Sequence, residues 1–434
     1  MLFYIFGLKN FVILIWNVLF LEWLMVIAEF IYTPMFARII GIFVIFLISL
    51  FVSNDKRKIV FKNIFFMFFS IILLGYVLLK SVAGVYIINN IASSVEWLYA
   101  SSNEGIKFLF GNLADSSGVW GFLFAFKILP AIVFFSAITS LLYYFGLIQV
   151  IVHFLGYLVR PIYGTTGPET LCAVANSFLS QTEAPLLIRS YLKSMTESEI
   201  FVVMVSGMST ISCSLFAVYG GIGISLKHML ISSILCVPAS LLIAKMWVPA
   251  TGKEKDRKDV LKESVTQKSF FEALASGTAN GLFLALHVGA MLLVVISILF
   301  CLNQAMSFFS LYFFGFEFTL QSIFGLCMWP AAWALGIPFE EISIVGYLIG
   351  TKVAVNEMVA FIALSKMNLA APTIILTTYA LCGFSNFSCI GIQLSSIGEM
   401  EEKVRPIISR FGIRAVFAAM FSNLLVAYVM GFFI

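Results

Sequence analysis

Ala175-Asn176-Ser177-Phe178-Leu179-Ser180-Gln181-Thr182-Glu183-Ala184-Pro185 places six polar side chains in eleven residues, ending in a carboxylate and a proline. The sequence on either side is short and apolar, and so is most of the chain. Hydrophobic residues make up 61% of the 434 and charged residues 11%, with a mean hydropathy of +1.04. Soluble domains carry about 25% charged residues, so water is not the main solvent of this protein. A helix crosses the hydrocarbon core with about 20 largely apolar residues. Runs of that kind stand at Phe36–Ser53, Val60–Leu79, Gly121–Leu147, Met229–Val248, Gly281–Phe300 and Val416–Ile434. They are apolar all round, whereas the strands of an outer-membrane barrel alternate apolar and polar residues. The fold class that follows is an all-α polytopic membrane protein.

At bilayer depth a carboxylate is costly unless it faces a cavity or a partner. Non-helical backbone carries the same cost unless it is buried in protein or lines water. Gln181-Thr182-Glu183 meets both conditions at once, and Pro185 suits a re-entrant turn better than a continuous helix. A surface loop would be the plain alternative, but the flanking pieces are too short and too apolar for one.

A second stretch repeats the plan. Gly350-Thr351-Lys352-Val353-Ala354-Val355-Asn356-Glu357-Met358-Val359 again carries an acidic tip between short apolar pieces. Each tip is followed by a charged turn and then a helix rich in Ser, Gly or Asn, at Ser206–Ser214 and at Gly383–Ser388. Serine and threonine also mediate ordinary packing of membrane helices. Their density here predicts unwound segments instead. Glu183 precedes Ser212 by 29 residues and Glu357 precedes Cys389 by 32. Interrupted hydrophobic segments at matching places in two halves are the signature of repeat-built transporters, whose substrate binds where the broken elements meet.

The remaining composition narrows the function. Lys and Arg gather in Asn54–Lys62, Arg189–Lys193, Lys253–Lys268 and Lys403–Arg414, which the positive-inside rule places in the cytoplasm. None is a long basic run interleaved with aromatics, so nucleic acid is not an expected partner. Cys172, Cys213, Cys236, Cys301, Cys327, Cys382 and Cys389 form no CxxC pair and read as small buried apolar residues. His153, His228 and His287 lack metalloenzyme spacing. The chain divides into an N-terminal hydrophobic extension (1–34), peripheral helices with an interfacial stretch at Ile88–Leu113 (35–118), and two helix-plus-hairpin units (119–250 and 251–434). The second unit opens with a cytoplasmic loop at Lys253–Lys268. The apolar stretch Phe11–Phe36 contains Glu22 and Glu29 and reads as a further membrane helix, an interfacial helix or an uncleaved signal anchor.

At these stretches the chain resembles the concentrative nucleoside transporter family. The resemblance rests on Ser-Gln-Thr-Glu-Ala-Pro-Leu-Leu-Ile-Arg (180–189), Met-Thr-Glu-Ser-Glu (195–199), Gly-Met-Ser-Thr-Ile (207–211), Asn-Glu-Met-Val-Ala (356–360) and Phe-Ser-Asn-Phe-Ser-Cys-Ile-Gly-Ile (384–392). Weaker similarity runs from about residue 35 to the C-terminus. The resemblance implies a homotrimer in the inner membrane, each protomer with eight core helices and two re-entrant hairpins in inverted repeats. It implies that Gln181, Thr182 and Glu183 address the nucleobase and that Leu215 packs against it. Glu357 and Asn386 would hold the ribose hydroxyls, with Phe384 lining the cavity. A sodium site would comprise the side chains of Asn176 and Thr210 and the backbone carbonyls of Leu179 and Ile211, an all-oxygen set suited to a hard cation. Sodium is therefore favoured as the coupling ion over a proton, which Glu183 or Glu357 would carry. Cys389 departs from a serine common in the family and weakens that contact to ribose. Ser180 and Ser214, beside Gln181 and Leu215, resemble the pattern of pyrimidine-preferring members. An intramembrane enzyme lacks support, since no GxSxG or HExxH motif occurs. Other readings are a symporter for free nucleobases, a channel or a structural subunit.

Overall fold

Lipid offers a backbone no hydrogen-bond partners, so apolar runs of this length become helices that satisfy themselves. The computed structural model describes residues 33–114, 123–250, 269–316 and 318–434, and among them there is no strand. Nearly all of the N-terminal extension and the loop at Lys253–Lys268 lie outside the described residues. So do the expectations made for Glu22, Glu29 and that loop.

The chain begins with α1 (Pro34–Val52), α2 (Phe61–Lys80) and α3 (Val82–Phe110). Ser81 divides the last two, its hydroxyl accepting from the Gly84 amide at 3.0 Å to cap α3. The interfacial stretch expected at Ile88–Leu113 is thus mostly part of one 29-residue helix. Next come α4 (Leu129–Tyr144) and α5 (Leu147–Tyr163), then the short α6 (Gly167–Ala175). Beyond a tip, a 3₁₀ segment (Ala184–Ile188) and a single turn (Arg189–Leu192) lead into α7 (Glu197–Ser209), α8 (Cys213–Gly221) and α9 (Leu226–Trp247). The second half holds α10 (Phe270–Phe314), α11 (Leu320–Trp333), α12 (Phe339–Ala354), α13 (Glu357–Ser365), α14 (Ala371–Leu381), α15 (Ser388–Met400) and α16 (Arg405–Met430).

Seven helical stretches among the described residues are long and apolar enough to cross a membrane, and three shorter apolar helices accompany them. α7, α9 and α16 are the buried centre, packed on one another. α1 and α2 pack on α9 and α16, and α1, α2, α5 and α10 turn apolar side chains such as Phe65, Phe154, Leu293 and Phe300 outward, as lipid permits. This is a multi-pass integral membrane protein.

α10 is longer than the apolar run Gly281–Phe300 suggests. Its 45 residues continue through a mixed N-terminal flank and, past Asn303 and Gln304, through a second apolar piece, and rise about 67 Å at 1.5 Å per residue. α4 packs along it closely because Gly277 and Gly281 face α4. A Cβ at Gly281 would lie 2.7 Å from Ser136 Cβ and 2.7 Å from Val133 Cα. The small-xxx-small spacing lets two backbones approach within the membrane.

The basic segments meet at one end. Arg414 donates to Asn54 Oδ1 at 2.7 Å and to the Val52 carbonyl at 2.8 Å. The Asn54 amide donates to the Trp247 carbonyl at 2.9 Å, at the end of α9 that leads toward Lys253–Lys268. Arg410 pairs with Glu197, beside the Arg189–Lys193 turn. Lys245 pairs with the buried Glu169 at 2.7 Å. Three basic clusters, and the entry to the fourth, therefore share one face, as the positive-inside rule requires.

Candidate functional site

Two helical hairpins and two broken helices build the site. In the first half, α6 leads to a tip over Asn176–Glu183 that is a chain of turns, with Leu179 N donating to Ala175 O at 2.8 Å and Glu183 N to Ser180 O at 3.0 Å. The return arm is a 3₁₀ segment, with Pro185 in its first turn where no intrahelical amide is needed. α7 and α8 follow, separated at Thr210–Ser212. The unwound segment is narrower than the expected Ser206–Ser214. Ser206 and Ser209 stay helical, their hydroxyls satisfied by bonding back to the carbonyls of Val203 (3.2 Å) and Val205 (2.6 Å).

In the second half α12 and α13 form the hairpin. Asn356 caps α13 by accepting from the Val359 amide at 2.9 Å, which sets Glu357 in its first turn. α14 and α15 are separated at Cys382–Phe387, close to the expected Gly383–Ser388. The halves share a hydrogen bond of the same kind. Cys213 N at the first break donates to Phe178 O of the first tip at 3.1 Å, and Phe387 N at the second donates to Val353 O of the second hairpin at 3.3 Å.

Between the tips and breaks lies a cavity of about 670 Å³. All ten residues singled out for substrate binding or selectivity line it: Ser180, Gln181, Thr182, Glu183, Ser214, Leu215, Glu357, Phe384, Asn386 and Cys389. Their contacts divide into two groups. Glu357 accepts from Tyr219 Oη at 3.0 Å and from Asn386 Nδ2 at 3.2 Å. Asn386 Oδ1 in turn accepts from Ser388 Oγ at 2.6 Å and from the Cys389 amide at 3.2 Å. On the other side Glu183 Oε2 accepts from the Ser180 amide (2.9 Å) and hydroxyl (2.8 Å), and that hydroxyl lies 2.9 Å from Thr182 Oγ1. Gln181 spans the groups, donating to Cys389 Sγ at 3.1 Å and accepting from Gln393 Nε2 at 3.2 Å. Both carboxylates are thus held by neutral donors and offer lone pairs to a ligand bearing hydroxyl or amino hydrogens.

Sequence reasoning missed several of these partners. Tyr219 stands in the apolar stretch after Leu215, with nothing local to mark it. Gln393 follows Cys389 by one helical turn and shares its face, a signal the spacing carried. Ser136, Asn280 and His287 line the cavity from α4 and α10, opposite the hairpins, and nothing local marked them.

The four candidate cation ligands are buried beside the first break. Asn176 Nδ2 donates to Ser206 Oγ at 3.1 Å, and Thr210 Oγ1 donates to Ser206 O at 3.0 Å, which draws both side chains to one point of α7. Asn176 Oδ1 is buried and has no hydrogen-bond partner among the described residues. Leu179 and Ile211 are buried next to them. A fully buried amide oxygen without a donor fits a cation-binding oxygen set.

A polytopic helical protein with a polar cavity enclosed by paired hairpins and broken helices is a membrane transporter by architecture. Comparison with known proteins says which kind. The family profile for the "Na+ dependent nucleoside transporter N-terminus" matches residues 40–113. The profile for "Nucleoside recognition" matches 125–226, and that for the "Na+ dependent nucleoside transporter C-terminus" matches 228–431. The chain is 35% identical to the nucleoside permease NupC of Helicobacter pylori, over 91% of this chain and 97% of that one. It is 38% identical to an uncharacterized transporter of Haemophilus influenzae, over 92% and 97%. Among solved structures it superimposes on CNTnw in an inward-facing substrate-bound state with a TM-score of 0.87 and 33% identity, over 92% of this chain and 98% of that one. A variant of CNTnw in an outward-facing state gives 0.88. The chain belongs to the concentrative nucleoside transporter family and is a transporter, not an enzyme.

Proposed function

We propose that this protein is a sodium-coupled symporter that imports nucleosides by alternating access. The observation that carries the reading is the convergence of Glu357 with Asn386, and of Glu183 with Gln181 and Thr182, on one cavity. Glu357 and Asn386 form a paired acceptor and amide matched to a vicinal diol, which donates to the carboxylate and accepts from the amide. Gln181, Thr182 and Glu183 supply an amide, a hydroxyl and a carboxylate for a heterocycle's edge. Leu215 and Phe384 give it apolar walls. Ser180 and Ser214 beside these residues favour a pyrimidine base. Sodium binds at Asn176, Thr210 and the carbonyls of Leu179 and Ile211. It holds the first tip against the first break, so that nucleoside binding and cation binding strengthen each other. The hairpins and broken helices move against a scaffold of α4 and α10, whose exposed apolar faces also suit the homotrimer.

Uridine uptake into proteoliposomes tests this under an imposed sodium gradient and, separately, a proton gradient. Sodium-driven accumulation supports the reading. Proton-driven accumulation moves the coupling to Glu183 or Glu357, and accumulation with neither ion overturns the symporter. Equal competition by adenosine, inosine, uridine and cytidine removes the pyrimidine preference. Competition by free bases removes the role given to Glu357.

A further inference from the structure

The two halves hold comparable carboxylates, but among the described residues only the second has a buried lysine on its own hairpin. Lys352 lies on α12, five residues before Glu357, and its side chain is 0% exposed. Its ammonium donates to Ala380 O at 2.9 Å, in the last turn of α14 before the second break, and to Asn423 Oδ1 at 2.6 Å. Asn423, on α16, donates to Cys382 O at 2.8 Å within the second break and to Ser209 O at 2.7 Å beside the first. Gly383 makes room for this junction, since a Cβ there would lie 2.5 Å from Asn423 Oδ1 and 2.6 Å from Ser209 O. The Lys352 ammonium therefore sits on carbonyl and amide oxygens between a hairpin helix and the end of a broken helix. In the first half that place belongs to Asn176, Thr210 and their neighbouring carbonyls.

We infer that Lys352 is a tethered cation that balances Glu357 permanently, so that the second repeat needs no exchangeable ion and the coupling ion serves the first repeat alone. The inference rests on the symporter reading above. A buried carboxylate needs a countercharge or a proton. Among the described residues Glu357 makes no ion pair within 4 Å, and its bonded partners Tyr219 and Asn386 are neutral. Val353, next to Lys352, accepts from the amide of Phe387, and Asn386, next to Phe387, donates to Glu357, so the ammonium and the carboxylate flank the same break. The other titratable groups nearby are the thiols of Cys236, Cys382 and Cys389 and the His228–Tyr379 pair, 3.0 Å apart. Glu183 and His287 line the same cavity. Glu183 is bonded only within its own tip, by Ser180, and makes no ion pair among the described residues. Among the described residues it has no tethered counterpart to Lys352.

The test compares the full-length protein with Lys352→Met in the ion dependence of uridine binding and in the charge moved per uridine in proteoliposomes. The unaltered protein should show a sodium slope of about one and a single positive charge per uridine, with affinity nearly flat from about pH 7 to about pH 6. In Lys352→Met, Glu357 should recruit a second cation. Either the sodium slope rises toward about two, or affinity improves by up to about tenfold per unit fall in pH as a proton takes the ammonium's place. A folded Lys352→Met trimer with the same sodium slope and the same flat pH profile overturns the inference, whatever its affinity. Where that variant does not fold, the unaltered protein decides: two charges per uridine overturn the inference and leave the symporter standing. Uptake driven by no cation overturns the symporter itself.

Discussion

Asn386 reaches Glu357 across 29 residues of sequence and donates to it at 3.2 Å, joining the second broken helix to the second hairpin at the wall of the cavity. The pair depends on both elements holding their places, so it reports ligand binding and hairpin position together. Glu357→Gln keeps the shape and replaces a charged acceptor with a neutral one. A hydrogen bond to a charged group contributes about 1.5–3 kcal/mol, so uridine affinity should fall by about 10- to 150-fold. Calorimetry checks the size of the loss, and a sugar analogue checks its origin. The unaltered protein should bind 2′,3′-dideoxyuridine far more weakly than uridine, and Glu357→Gln should bind the two alike. Full discrimination surviving in the variant would detach Glu357 from the ribose.

Asn176 makes a second prediction. Its Oδ1 is buried without a donor among the described residues, while its Nδ2 is held by Ser206. Removing the side chain by Asn176→Ala should raise the sodium concentration for half-maximal uridine binding at least about tenfold, since a lost oxygen ligand is a lost differential contact. At saturating sodium, uridine affinity should approach that of the unaltered protein. A titration of binding against sodium, with choline keeping ionic strength constant, reads both numbers. An unchanged sodium midpoint would place the ion elsewhere.

Much of this site could be read from the chain because polar residues stand out where lipid is the solvent. Gln181, Glu183, Glu357 and Asn386 are costly at membrane depth, and the cost itself marked them. Tyr219 and Gln393 escaped notice because an aromatic and an amide on buried helices need no special explanation. Their meaning lies in contacts to residues 138 and 212 positions away. The breaks were visible as clusters of serine, glycine and asparagine, but not their limits. A serine hydroxyl can bond back to its own helix as readily as it can mark an unwound one, and Ser206 and Ser209 do the former. The length of α10 was hidden for a related reason: Asn303 and Gln304 interrupt its apolar run, and a polar pair looks like an end whether or not the helix continues past it.

The α4–α10 contact yields a prediction about assembly of the scaffold. Gly281→Leu would drive a branched side chain into Ser136 and the α4 backbone at Val133. Overpacking of this kind costs about 1–3 kcal/mol where neighbours can move, and more where the obstacle is backbone. The variant should melt several degrees lower in detergent and yield less folded protein. Gly315→Ala, at the open end of the same helix, tests only the left-handed backbone there (φ 74°) and has no neighbour to strike. It should lose less. Equal melting temperatures for Gly281→Leu and the unaltered protein would mean that α4 and α10 do not pack this closely in the membrane.

Cys389 offers a change expected to improve the protein. Its thiol accepts from Gln181 Nε2 at 3.1 Å and it lines the cavity next to Asn386. Sulfur is a weak donor and a weak acceptor, so the thiol contributes little to binding a hydroxylated ligand. Cys389→Ser puts a smaller, stronger hydrogen-bonding group in the same position on α15. Gln181 should keep its partner, and a ribose hydroxyl should gain one. One neutral hydrogen bond contributes about 0.5–1.5 kcal/mol, so uridine should bind about two- to tenfold more tightly to the serine variant. The gain should be smaller for a deoxynucleoside lacking the sugar hydroxyl that the introduced side chain contacts, and comparison of uridine with 2′-deoxyuridine and 3′-deoxyuridine identifies which one that is. Weaker binding of every nucleoside would show instead that the larger sulfur is needed to hold Gln181 in place, making Cys389 a positioning residue for the base rather than a neighbour of the sugar.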